Sequence, residues 1–97
     1  MFSWFDAKDA EKFGTSLADF FIERIPSESL QKKSVSLAKQ KDVLNKLVYK
    51  VQLYGTEHKL NIYKKAKLGN AFKWKMREAH YDPAFIDEVT KMLMVKM

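Results

Sequence analysis

Cysteine is absent from the chain. That excludes a disulfide framework, thiolate-ligated zinc and a cysteine nucleophile. The absence suits a reducing compartment, so a cytoplasmic protein is expected. Glycine and proline are scarce, at three and two residues. A sheet of many strands needs frequent turn residues, and these are missing. Long apolar runs are missing too: Phe20-Phe21-Ile22 falls far short of the roughly 20 residues that cross a bilayer. The opening MFSWFDAKDAEKF has neither a basic segment nor an uninterrupted apolar one, so no signal peptide is expected. Its aromatics adjoin acidic residues, which disfavours an anionic lipid surface. Arginine is almost absent: of eighteen basic residues only Arg24 and Arg77 are arginine. Base-specific reading of nucleic acid relies on arginine and is not expected.

What is present favours helix. Lysine, leucine, alanine, glutamate and methionine are frequent, and all propagate helices well. With 97 residues and 46% hydrophobic content, one small helical domain spanning 1–97 is expected. Small domains bury a modest fraction of their surface and often gain stability by association.

The net charge of +6 is unevenly spread. Residues 1–30 hold three basic and six acidic groups, residues 31–77 thirteen and two, and residues 78–97 two and four. A basic middle thus lies between acidic ends.

A first helix is expected over about 7–25. Asp6 is its N-cap candidate, and Ala10, Phe13, Leu17, Phe20 and Phe21 recur on one face. Ile25 before Pro26 ends it. Gly14 costs this helix some propensity, about 1 kcal/mol against alanine. Phe2, Trp4 and Phe5 just upstream suit a hydrophobic plug. A last helix is expected over about 83–95, with Asp82 as N-cap and Pro83 at its first position. Phe85, Ile86, Val89, Met92 and Leu93 form its apolar face. The terminal KMLMVKM reads as ordinary packing with a frayed end.

The middle, about 30–81, contains no proline. At about 100° per residue one stripe gathers Leu30, Leu37, Leu44, Leu47, Val48, Val51, Tyr54, Gly55, His58, Ile62, Ala66, Gly69, Phe72 and Met76. Its phase survives Gly55, which favours one long central helix. The alternative is a helical hairpin broken at YGTE, with Gly55 past the first helix and Thr56 capping the second. A second stripe includes Tyr49, Leu53, Leu60, Tyr63 and Trp74. Two apolar stripes imply burial on two sides. Those five residues are therefore the expected interface of a homo-oligomer, most simply a dimer. Gly55 and Gly69 are expected points of close helix packing, because a missing side chain admits another backbone.

Lysines run between the stripes. Lys39, Lys46, Lys50, Lys64, Lys67 and Lys75 are candidate phosphate contacts for a non-specific nucleic-acid binder. Tyr63, Phe72 and Trp74 are candidate stacking partners for unpaired bases. A solvated edge is the plainer account. His58 on the apolar stripe is expected in a core or interface, and His80 near a helix end. Their spacing offers no zinc motif. No P-loop, GxGxxG or GxSxG occurs. Ser27, Ser29, Ser34 and Ser36 read as caps or solvent positions. No catalytic residue, metal or cofactor is expected. The sequence reads as a non-catalytic, all-α protein acting through protein–protein interaction or self-assembly, with a protein partner it does not name.

Overall fold

The structure, a computed structural model, describes residues 6–97; the expected plug at Phe2, Trp4 and Phe5 lies outside them. Among the described residues all regular structure is helical. The helices are α1 (Lys8–Arg24), a short α2 (Ser27–Gln31), α3 (Leu37–Glu57), α4 (Ile62–Glu78) and α5 (Pro83–Lys96). The flanking helices match expectation. The Asp82 carboxylate accepts the N–H groups of Ala84 and Phe85, with Pro83 leading α5. At α1 the cap falls at Ala7, and Asp6 accepts the Lys8 N–H at 3.3 Å from one residue earlier.

The single central helix is not formed. The chain from 30 to 81 breaks twice, and neither break is at Gly55, which lies inside α3. The first break follows α2. There the Lys33 N–H bonds the Leu30 carbonyl and the Ser34 N–H bonds the Ser29 carbonyl. That is a Schellman ending, with Lys33 in the left-handed region at φ 54°. The Ser36 hydroxyl then accepts the Lys39 N–H and starts α3. At the second break His58 turns extended, and the Asn61 side chain accepts the Lys64 N–H at 2.7 Å to start α4. A cap that near satisfies a first-turn donor that the helix cannot. Helix α4 closes with another Schellman ending. The His80 N–H bonds the Arg77 carbonyl, the Tyr81 N–H bonds the Met76 carbonyl, and His80 sits at φ 70°.

The four longer helices form a bundle with extents of 48 × 23 × 19 Å. Helix α1 packs against α4 and α3, and α5 packs against α4 and α3. Helices α3 and α4 therefore lie across the bundle from each other, although consecutive in sequence. Phe13 stacks on Tyr54 with centroids 4.0 Å apart, and Lys50 lies over Phe20. These pairs set α3 antiparallel to α1. Asp19 faces Lys75 and Gly14 faces Leu68 and Ala71, which sets α4 parallel to α1.

The core is drawn from every long helix: Leu17 and Phe21, Leu47 and Val51, Leu68 and Phe72, Ile86 and Leu93 are all essentially inaccessible. Phe72, a stacking candidate by sequence, is one of these and cannot meet a base. At one end Phe21 meets both Tyr81 and Phe85. The Tyr81 hydroxyl donates to the Ile25 carbonyl, tying the α4–α5 turn to the end of α1.

Of the three glycines, Gly14 meets the closest backbone. A Cβ there would overlap the Leu68 carbonyl oxygen and lie 3.2 Å from the Ala71 Cβ. At Gly69 the neighbour is the Met94 sulfur of α5, 3.3 Å from a Cβ position. At Gly55 only the Met97 carbonyl oxygen is near, at an ordinary 3.7 Å.

Candidate interaction surfaces

The outward sides of α3 and α4 carry the residues that sequence reasoning singled out. Val43, Leu47 and Val51 point α3 into the core. A position two residues away from such a stripe turns through about 200° and faces out. Tyr49 and Leu53 fall there, one turn apart, with exposures of 65% and 44%. On α4, Leu68, Phe72 and Met76 face the core, and Trp74 faces out at 61% exposure. Tyr63 lies on the same side of α4, with the Lys67 ammonium 5.5 Å from its ring centroid. Leu60 is half-buried in the segment between the helices.

These five do not form one surface. Because α3 and α4 are diagonal, Tyr49 and Leu53 look out from one side and Trp74 from the other, where Tyr63 is half-buried and packs partly against the core. Leu37, Ile62 and Val95 are further exposed apolar side chains, at 74%, 82% and 81%.

The lysines divide in the same way. Lys39, Lys46 and Lys50 belong to α3, and Lys64, Lys67 and Lys75 to α4. Helix α1 runs between the two groups and carries Asp9, Asp19 and Glu23. Several of the lysines are engaged locally. Lys46 pairs with Asp42 at 3.1 Å, and Lys75 with Asp19 at 3.8 Å. Lys50 lies 4.7 Å from the Phe20 ring centroid, a ring that Arg24 also covers at 3.6 Å. Exposed ion pairs contribute about 0–1 kcal/mol each, so they orient side chains more than they stabilise the bundle.

The two histidines stand at opposite ends of the bundle. His58 is exposed rather than in the core. Its ring stacks on Tyr54 at 4.0 Å, and its Nδ1 lies 3.2 Å from the Tyr54 carbonyl oxygen. It left the apolar stripe because the helix ends beneath it. Burial, then the nearby Asp9 carboxylate, raises the Tyr54 hydroxyl above its usual range. Burial pushes Tyr81 up to about 12. Among the described residues no three His, Asp or Glu side chains gather as a metal site, and no helix is long and apolar enough to cross a membrane. No protein-family model, curated protein or solved structure matches the chain, so the reading of its function rests on its own surfaces.

Proposed function

We propose that this protein is a non-catalytic, cytoplasmic interaction module that associates with itself through the outward face of α3. One observation carries the proposal: Tyr49 and Leu53 stand a turn apart on that face, large, apolar and exposed, although the core is already filled without them. Adjacent exposed apolar side chains with a polar surround are the usual mark of a contact surface. Asp42 and Lys46 supply the surround. A twofold contact between two copies of α3 covers both residues on both chains with one surface. The α4 face, with Trp74 and Tyr63 on the far side, is a second and separate surface for a different protein partner.

Light scattering from about 10 μM to about 1 mM tests this, a span that detects micromolar to near-millimolar association. A mass rising toward twice the monomer supports the proposal, and a constant monomer mass overturns it.

Non-specific nucleic-acid binding is the second reading, favoured by the basic block of residues 31–77. Two features weigh against it. The lysines are split by α1, whose four carboxylates exceed its three cations by one, and Lys46, Lys73 and Lys75 each meet a carboxylate within the chain. Titration with duplex and single-stranded DNA at low and high salt separates the readings, since phosphate contacts strengthen as salt falls.

A further inference from the structure

A cleft of about 450 Å³ opens at the end of the bundle beneath α2. Leu30, Tyr81 and Phe85 make its apolar lining, and Gln40, His80 and Asp82 its polar part. The volume lies in the range of small-molecule sites, roughly 300–1,000 Å³.

Three features distinguish the cleft from a surface dent. Helix α2 roofs the opening with no residue fully buried, and its half-buried Leu30 packs against the edge of the core. The turn that follows α2 is fixed by two side-chain hydrogen bonds. The Ser34 hydroxyl donates to the Ser29 carbonyl, and the Gln40 amide nitrogen donates to the Val35 carbonyl. Second, the aromatic lining is held rigidly. The Tyr81 and Phe85 rings lie 22° from parallel with centroids 6.2 Å apart, both backed by Phe21. Third, Asp82 is the one carboxylate among the lining residues, and no lysine or arginine joins it. Its Oδ2 serves the Ala84 and Phe85 N–H groups. The positive end of α5 is thereby answered, and an anion finds little to bind there.

We propose that this cleft binds a planar aromatic ligand carrying a cationic group. The aromatic part occupies the Leu30–Tyr81–Phe85 lining, where ring contacts favour it. The cation meets the Asp82 carboxylate, and a charge-assisted hydrogen bond is the stronger kind. This site is independent of the α3 contact, so self-association bears on neither its success nor its failure.

The test uses three indoles as probes: tryptamine (cationic), indole (neutral) and indole-3-acetate (anionic). Each is titrated to about 10 mM into the ¹⁵N-labelled full chain, which reaches millimolar affinities. Saturable amide shifts at Leu30, Gln40, His80, Tyr81, Asp82, Ala84 and Phe85 are expected with tryptamine, weaker ones with indole and weakest with indole-3-acetate. Asp82→Asn keeps an N-cap side chain. It should weaken tryptamine about tenfold and change indole less than about twofold, as expected for loss of a charged hydrogen bond. Leu30→Trp fills the cleft and should abolish binding of all three. The proposal is overturned by no saturable shift with tryptamine, by shifts centred away from the cleft, or by indole-3-acetate binding as well as tryptamine. Undiminished binding to Leu30→Trp overturns it as well.

Discussion

Gly14 faces the Leu68 carbonyl so closely that no side chain fits between α1 and α4. Gly14→Ala adds helix propensity of about 1 kcal/mol, yet it must push two parallel helices apart. Overpacking against backbone costs about 1–3 kcal/mol or more, so the variant should be less stable. Gly55→Ala is the control. Its Cβ meets only an ordinary contact, and the residue sits within α3, so a gain of about 0.4–1 kcal/mol is expected. Urea denaturation of the two variants should move the midpoint in opposite directions. Tyr81 makes a second residue-level prediction. Its folded pKa, about 12, lies above the ordinary value near 10. The stability it contributes is therefore complete below pH 10 and is lost as pH rises toward 12. Tyr81→Phe should lower stability at neutral pH by about 1–3 kcal/mol, since the Ile25 carbonyl loses its buried donor. It should also flatten the alkaline decline, measured by urea unfolding at pH 9 and pH 11, pH values flanking the ordinary tyrosine range. An equal decline in wild type and variant would remove Tyr81 from that account.

At the scale of helices, the ends explain what the sequence could and could not reveal. Asp82-Pro83 and Ile25-Pro26 were legible because proline and a capping carboxylate are strong signals with known mechanisms. The two Schellman endings were not, because Lys33 and His80 hold positions where glycine is the usual occupant. Gly55, the glycine nearest the middle of residues 30–81, lies instead inside α3, where the helix continues. The break at residues 58–61 had one local signal, Asn61 as a cap, but the apolar stripe ran on through Ile62 and Gly69 and hid it. Asn61→Ala should cost about 1 kcal/mol, or roughly 4–8 °C in a domain of this size. Thermal unfolding followed by circular dichroism gives the answer, and an unchanged midpoint would mean the cap does not hold α4. Leu47 and Val51 on α3 and Phe72 and Met76 on α4 are two inward faces that share a phase, while Leu37 and Ile62 on the same stripe are exposed at the helix starts. Periodicity reports which side of each helix is buried and is silent on whether two stretches form one rod.

At the scale of the molecule, the diagonal placement of α3 and α4 reshapes the candidate site. Tyr49, Leu53, Tyr63 and Trp74 were legible as apolar residues off the main stripe; three face outward and Tyr63 is half-buried. Their separation into two surfaces was not legible, since nothing local in the chain specifies which helices adjoin. The same placement splits the lysines into two groups flanking α1 and brings Lys75 to Asp19. The basic middle and acidic ends noted in the sequence are thus partly complementary to each other within one chain. That leaves the apolar face of α3 as the feature least explained by the bundle itself. Sedimentation equilibrium of the wild type beside Tyr49→Ser/Leu53→Ser tests this claim most directly. The account predicts a wild-type dimer and a variant whose association is at least about tenfold weaker, equivalent to 1.4 kcal/mol, with an unchanged helical spectrum. Equal masses for both proteins at every concentration would contradict it.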